Sequence, residues 1–359
     1  MKNLLYLLLF TLISSIEPVF SQNNKRSYGS TDYRIETFGS AATNYYTPFW
    51  IASNRYGVIP LEAGNGYLRA GTFHQQLTGK GLRWGGGLDI VASAPRYRNV
   101  YIQQIYAEIG YKCLNLTIGS KENYTSLWDK NLSSGDMIHS SNARPIPEIN
   151  ISVPQFTTIP YTKGVMQFKG EFAIGRSFDK KFLKQFQNER QTYIDNVLWH
   201  HKSLHIRLLD PHYDFPLTAT IGMRHHAQWG GTSTNPEEGV QPQSFKDFVR
   251  IVMGRSGGEG SSLSAQKNVL GNHYGSYDIK IGYLNPLFDI HLYGQHYFDD
   301  PSGMEFYNLP DGLYGIKVNI PHFSFISKIV FEYVYTKDQS GPIHYITFDH
   351  SEYPGNGGG

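Results

Sequence analysis

The sequence predicts an all-β chain, an antiparallel transmembrane β-barrel of the outer-membrane class, and three observations carry that expectation. The first is an export signal at the N-terminus. The second is composition: charged residues make up 17% and aromatics 14%, with 26 Tyr, 21 Phe and 37 Gly, against about 25% charge in an average soluble domain. The third is long period-two alternation in which one face is apolar and the other ionic.

Lys2 followed by the apolar run Leu4 to Ile13, then Val19-Phe20-Ser21, reads as a secretory signal peptide over residues 1–21 with cleavage after Ser21. The run is well short of the roughly 20 residues that a spanning helix needs. The residue directly after the cleavage point is Gln22 rather than cysteine, so a lipid anchor is not expected. The single cysteine, Cys113, cannot close an internal disulfide. A net charge of +2 gives no reason to expect a nucleic-acid partner. Residues 22–359 are read as one barrel, because no linker is long enough to separate domains.

The strands follow in order. "GLRWGGGLDIVAS" sets Leu82, Trp84, Leu88 and Ile90 against Arg83, Asp89 and Ser93. "QIYAEIGYKCLNLTIGSK" does the same twice, first with Ile105, Ala107, Ile109 and Tyr111 against Gln104, Tyr106 and Glu108. Its second half sets Leu114, Leu116 and Ile118 against Asn115 and Thr117. "VMQFKGEFAIG" sets Met166, Phe168, Phe172 and Ile174 against Gln167, Lys169 and Glu171. "LTATIGMRHHAQW" sets Leu217, Ala219, Ile221 and Met223 against Thr218, Thr220, Arg224, His226 and Gln228. "SYDIKIGYL", "LYGIKVNI" and "KIVFEYVY" repeat the scheme.

Many of these runs are about 9–14 residues long, the length that crosses a bilayer, whereas soluble strands are usually about five or six. Lys, Glu, Arg and Asp would be costly in a dry core but not facing a wet lumen. Tyr111, Tyr283, Tyr314, Tyr333 and Tyr335 near strand ends suit interfacial girdles. A soluble β-sandwich also alternates; strand length and the ionic polar face favour the barrel.

Two segments break the β pattern. Residues 179–195, with Phe182 and Phe186 four apart, read as an amphipathic helix. Residues 244–254 place Phe245, Phe248, Val249 and Val252 on one helical face, with Ser244 as cap and Gly254 as stop. Both are placed to plug or floor a barrel. "SSNARPIPEINISVPQFTTIP" alternates but carries four prolines. Pro145 and Pro147 deny hydrogen-bond donors to one side, and only six residues separate Pro147 from Pro154. It is therefore expected as extended chain at the rim or lumen wall, with the next full strand near Gly164.

In order, "LSSGDMIHSSNARPIPEI", "IPYTKGVMQFKGEFAIG", "LWHHKSL", "FKDFVRIVMGRSGG" and "NVLGNHYGSYDIKI" resemble the Wzi-like capsule-assembly family in its Bacteroidetes-type form. The resemblance runs over most of the mature chain. It implies an outer-membrane β-barrel with a helical plug, a lectin that binds exported capsular polysaccharide and organises it at the cell surface, with no catalytic residue. Its implied partners are that polysaccharide and outer-membrane lipid. One departure is that the chain stops at "YPGNGGG" with about thirteen candidate strands, fewer than the family barrel carries. The expectation is a sequence incomplete at its C-terminus, whose last strand leaves an open edge.

Chemistry is sparse. In the pairs His200-His201 and His225-His226, neighbours on a strand point to opposite faces, so each pair offers the lumen one imidazole. No metal-ligand spacing appears, and neither metal nor cofactor is expected. Ser133-Ser134-Gly135-Asp136 near His139 has hydrolase residue types without a nucleophile-elbow context. Sugar rings stack on aromatic faces, and their hydroxyl and acidic groups seek Asn, Gln, Asp, His and Arg. Trp128, Asn142, Arg144, Arg224 and Trp229 are the candidate glycan contacts, drawn from a wider set that includes Trp50, Trp84 and Arg55. Trp84 lies on an apolar face and is better read as a lipid contact. Trp128 and Trp229 are expected at a rim, as interfacial-belt aromatics first and sugar platforms second, and Arg144, Arg224 and Glu171 are read first as a charge ladder across the lumen. The reading is a non-enzymatic lectin-like barrel, with a diffusion porin or an outer-membrane hydrolase as alternatives.

Overall fold

Asp89 is fully buried while its chain neighbours Leu88 and Ile90 are 39% and 40% exposed, and this inversion of the soluble pattern recurs along the sheet. A computed structural model describes residues 28–78, 81–95, 99–124, 127–186, 191–212, 214–299, 301–338, 344–348 and 351–355. The signal peptide expected over residues 1–21 lies outside the described residues, as does the terminal stretch 356–359. The chain divides into two compact units that interleave along the sequence. The first takes residues 1–124, 140–150 and 181–187, and the second takes 125–139, 151–180 and 188–359.

The first unit is an antiparallel meander of β1 (Tyr28–Ser40), β2 (Asn65–Leu77), β3 (Leu82–Ala94), β4 (Val100–Tyr111) and β5 (Leu114–Ser120), paired in chain order. A tight turn joins β4 to β5. The connection from β1 to β2 is long and carries the short helix α1 (Phe49–Ala52). The ladder between β3 and β4 pairs Asp89 with Gln104 and then Ile90 with Ile102, so Gln103 is an extra residue. A bulge of this kind re-aims side chains. Here Gln103 and Gln104, adjacent in sequence, are both buried, at 1% and 4% exposure. Above them Val58, Ile59, Tyr67, Val91 and Tyr101 form a small core, with Ile51 and Ala52 of α1 against it.

Along the rest of the chain come β6 (Glu148–Thr158), β7 (Met166–Arg176), α2 (Lys180–Phe186), β8 (Ile194–Asp195), β9 (Leu198–Leu209), β10 (Leu217–Trp229) and β11 (Thr232–Ser233). They are followed by α3 (Phe245–Met253), α4 (Leu263–Lys267), β12 (Asn272–Leu284), β13 (Asp289–Phe298), α5 (Pro301–Met304), β14 (Gly312–Asn319) and β15 (Lys328–Tyr335). A last hairpin pairs β16 (His344–Phe348) with β17 (Ser351–Gly355). In the second unit the strand order is β6-β7-β9-β10-β12-β13-β14-β15, and β8 pairs separately with β11. Five meander strands in one unit and eight in the other agree in number with the roughly thirteen candidates in the sequence, although β6 is not expected there as a full strand.

Two faces follow from the alternation. On the second unit's inner face lie Arg224, His205, Asp278, Ser276 and Gln295, each 3% exposed or less. On the outer face Leu204, Ile221, Ile279 and Leu292 are about half exposed. Polar inside and apolar outside along strands of 10 to 13 residues is the arrangement of a sheet that meets lipid on one face. No helix among the described residues is long and apolar enough to cross a membrane; in this fold class strands do so.

The proline-bearing segment requires a correction. It is not loose chain: β6 is an 11-residue strand. Pro145 and Pro147 precede it, so only Pro154 falls inside. The burial phase also shifts there. Ile149 and Ile151 are exposed and Asn150 is buried, yet Val153 is buried and Pro154 exposed. An irregularity of this kind is where a strand tolerates proline.

The segment expected as one helix over 179–195 contains α2 and, at its far end, the two-residue strand β8. Helix α3 is fixed at both ends by its own sequence. Ser244 and Asp247 form a reciprocal capping box, and Gly254 closes the helix in the left-handed conformation. It packs on the outer face rather than plugging the inner one: Ile251 and Phe248 lie against Ala227, Trp229 and Leu270, and Phe248 meets His200 edge-on. What occupies the inner face of the second unit is a loop.

Candidate functional site

That loop is residues 127–139, "LWDKNLSSGDMIH", and its contacts descend the inner face of the second unit rung by rung. At the end bearing the long connections, the His139 ring stacks on His226 and His201 and tilts against Trp199. His226 stacks in turn on Tyr274. One level down, Asp136 pairs with Arg224, their side chains 2% and 1% exposed. The Asp136 carboxylate also accepts from Gln295 Nε2 at 3.2 Å and from the backbone N–H of Ile138 at 2.9 Å. Gln295 Oε1 accepts from the Met137 N–H at 2.9 Å.

Below that, Glu332 accepts from Ser133 Oγ, Ser134 N, Ser134 Oγ and Tyr293 Oη, all within 2.7 Å. Trp128 stacks on Tyr293 with ring centroids 4.7 Å apart. Lowest, Asp129 binds Lys317 Nζ at 2.9 Å and Lys328 Nζ at 2.7 Å, and Lys280 Nζ donates to the Leu127 carbonyl at 3.0 Å. Burial works to raise the Asp129 carboxyl pKa, but hydrogen bonds from Lys328, Lys317 and the Asn131 N–H outweigh it. They hold the group well below the usual carboxylate range. Partly buried, charge-assisted bonds of this kind are stronger than exposed pairs.

The first unit has its own inner network. Arg69 Nε donates to Asp89 Oδ2 at 2.9 Å, and Arg69 Nη2 reaches both oxygens of Glu122 at 2.9 Å. Gln103 and Gln104, turned inward together by the bulge, also donate to Glu122, at 2.9 and 3.3 Å. Arg144 lies at its edge, 4.3 Å over the Tyr101 ring, donating to Gln103 Oε1 at 3.3 Å and to the Ile102 carbonyl at 2.6 Å. Asn142 is exposed, and its Oδ1 accepts from the Asn54 N–H at 2.6 Å. Tyr56 N–H donates to the Ser141 carbonyl; burial pushes its phenol pKa up, partly opposed by its hydroxyl hydrogen bond to Ser141. The β1–β2 connection beside Asn142 carries a group of exposed aromatics: Tyr45 at 90%, Tyr46 at 73%, Phe49 at 61% and Trp50 at 78%.

The structure does not gather the five sequence candidates at one place. Trp128 and Trp229 are each 5% exposed, in clusters on opposite faces of the second unit; Trp229 does end β10, but both indoles are covered. Arg224 is a buried ion-pair partner, Arg144 a clamp in the first unit, and Asn142 alone is exposed. The histidine pairs split as strand geometry requires. His201 and His226 face inward, while His200 and His225 face outward beside α3. Sequence reasoning passed over Trp199, Tyr274 and Glu332. Trp199 and Tyr274 share their inward parity with His201 and His226, a signal the alternation carried. Glu332 had none, since its loop partners Ser133 and Ser134 lie 199 and 198 residues away. Among the described residues, no group of three or more His, Cys, Asp and Glu is placed to hold a metal ion.

No curated protein matches the sequence. Among solved structures, a double mutant of the Rhodopseudomonas blastica porin superposes at 9% identity, covering 85% of this chain and 98% of the porin with a TM-score of 0.30. A triple mutant of the same porin gives 10% identity, 85% and 93% coverage and a TM-score of 0.31. Superpositions this loose carry no argument about function. The family model described as "Capsule assembly protein Wzi" matches residues 14–356, a span that takes in every strand from β1 to β17. With its polar inner face, apolar outer face and this match over nearly the whole length, the chain is an outer-membrane β-barrel protein that belongs to the Wzi family of capsule assembly proteins.

Proposed function

We propose that the protein acts in capsule assembly as a non-enzymatic lectin, holding exported polysaccharide at the long-loop end of the barrel. The observation that carries this is the β1–β2 connection, which exposes Tyr45, Tyr46, Phe49 and Trp50 and is tied to Asn142 through the Asn54 N–H. Large exposed apolar patches rimmed by polar groups mark binding surfaces. Aromatic faces suit the apolar faces of sugar rings, and Asn142, Arg55 and Arg144 supply the polar rim. Of the five residues expected from sequence, Asn142 and Arg144 remain at this site; Trp128, Arg224 and Trp229 support the scaffold.

Loop 127–139 argues against an open diffusion pore, since the chain itself occupies the inner face of the second unit. It also disfavours a hydrolase. Ser134 Oγ is engaged by Glu332, whose carboxylate already accepts four hydrogen bonds, and His139 is stacked among rings. The reading is tested in cells lacking the gene and complemented with wild type or with Trp50→Ala/Tyr45→Ala. The expected result is polysaccharide shifted from the cell-bound to the shed fraction in the deletion and the double variant. An unchanged ratio in the deletion sinks the capsule reading. A normal ratio in the double variant alone sinks the site.

A further inference from the structure

The outer face of the second unit carries a walled groove of about 770 Å³, within the usual range of small-molecule sites. Its floor is strand: Leu204, Ile221, Met223 and Ile279 project into it from β9, β10 and β12. Its wall is the chain after α5, which folds back over the outer face so that Phe306 rests on His296, ring centroids 4.6 Å apart, and on Tyr277 at 5.4 Å. Leu309 completes that side.

The groove changes chemistry along its length. Toward the long-connection end it meets Lys202 and His225, which are shared with an adjoining cavity of about 350 Å³ between the end of α3 and α5. There His225 Nε2 lies 2.8 Å from His273 Nδ1, and Lys202 Nζ donates to the Val252 carbonyl at the end of α3. Away from that end the lining is Ile206, Ile221 and Ile279 with the Tyr314 ring.

This face continues the lipid-facing surface, where Leu204 and Ile221 are 51% and 60% exposed. Helix α3 extends the apolar surface toward the same end. It turns Phe248 and Ile251 to the sheet and leaves Phe245, Val249 and Met253, one turn apart, exposed at 80%, 45% and 59%. Apolar side chains repeating every fourth residue on a helix side that faces away from the sheet mark a helix lying in the interfacial layer.

We propose that the groove binds one membrane lipid of the leaflet at the long-loop end. Its acyl chain lies over Leu204, Ile221, Met223 and Ile279, and its polar head sits beside Lys202 and His225. A flat apolar belt exchanges lipid freely, whereas a groove walled by Phe306 and Leu309 contacts a chain along its floor and one flank and adds buried area to hold it. The proposal rests on the membrane-facing fold and is independent of the polysaccharide reading.

The test is native mass spectrometry of the full protein extracted from outer membranes in mild detergent. Collisional activation is set to strip loosely held lipid. The expected wild-type spectrum keeps one lipid adduct per chain. Ile221→Trp/Met223→Trp fills the groove, and Phe306→Ala/Leu309→Ala removes its wall without touching a strand. Each is expected to lower the adduct-bearing fraction about tenfold or more, the effect of losing a buried side-chain contact. Leu292→Trp, on the same face outside the groove, is expected to keep the adduct. Folding is checked by heat-modifiable gel mobility, and the wall variant decides where the groove variant does not fold. A wild type without an adduct, a folded wall variant that retains it, or equal loss in Leu292→Trp overturns the proposal.

Discussion

Arg224 of β10 and Asp136 of the inner loop form an ion pair almost wholly withdrawn from solvent, with side chains 1% and 2% exposed. Removing one partner of such a pair leaves an uncompensated buried charge and costs about 3–5 kcal/mol. Arg224→Leu is expected to destabilise by that order, read as the urea midpoint of detergent-solubilised protein. Arg224→Leu/Asp136→Leu, which removes both charges, is expected to recover part of the loss. A double variant no better than the single one would show that the charge pair is not what matters.

Tyr293 joins the Trp128 stack to the Glu332 carboxylate, and it fits because position 315 has no side chain. A Cβ on Gly315 would lie 2.2 Å from Tyr293 Cζ. Gly315→Ala is therefore expected to cost about 1–3 kcal/mol through overpacking and to quench or shift the Trp128 environment. Gly64→Ala, where an added Cβ meets nothing within 4 Å, serves as the control. Equal melting temperatures for the two variants would contradict the packing argument.

The lowest rung of the loop is pH-sensitive in a direction that follows from its carboxylate. The folded Asp129 pKa lies below its ordinary value. Its contribution is therefore fully present above the ordinary carboxylate range near about 4 and is lost as pH falls through the depressed value. Acidification is expected to release the loop from Lys317 and Lys328 first at this end. Asp129→Asn is expected to lower stability at neutral pH and flatten the acid limb of the profile. Planar-bilayer conductance, low for wild type at neutral pH, is expected to rise in Asp129→Asn/Glu332→Gln. Steady high conductance of the wild type would favour a porin instead.

Depth in the membrane supplies a fourth expectation. Ile279 lies mid-strand on the outer face of β12 and Tyr283 near its end. Ile279→Arg is expected to cost about 2–4 kcal/mol and Tyr283→Arg about 0–1, measured as refolding stability in lipid vesicles. Similar small costs at both positions would argue that this face does not meet lipid.

Much of the fold was legible because a strand writes its two faces directly into the chain, as Leu88, Asp89 and Ile90 do. The histidine pairs were legible for the same reason. What escaped depended on partners far along the sequence. Nothing local says that Arg224 meets Asp136, or that Ser133 and Ser134 meet Glu332. Trp128 looked like a rim aromatic because it sits in a polar loop, yet that loop runs down the inner face and buries it against Tyr293. Trp229 looked like a strand-end aromatic and is covered by α3. The β3–β4 bulge hid in a clean alternation, since one inserted residue, Gln103, changes pairing without breaking the run. In β6 the prolines were weighed as a group, although only Pro154 lies within the strand.

The loop that descends through the second unit has a kinetic consequence. Its rungs come from β9, β10, β12, β13, β14 and β15, across sequence separations that reach 199 residues at Ser133 and Glu332. Contacts of such high contact order form late, after the strands that present them have been placed. The loop thus acts as an assembly checkpoint: Asp136 finds its full set of partners only once β13 is in register. Ser133, Ser134 and Asp129 find theirs only once β15 has been added.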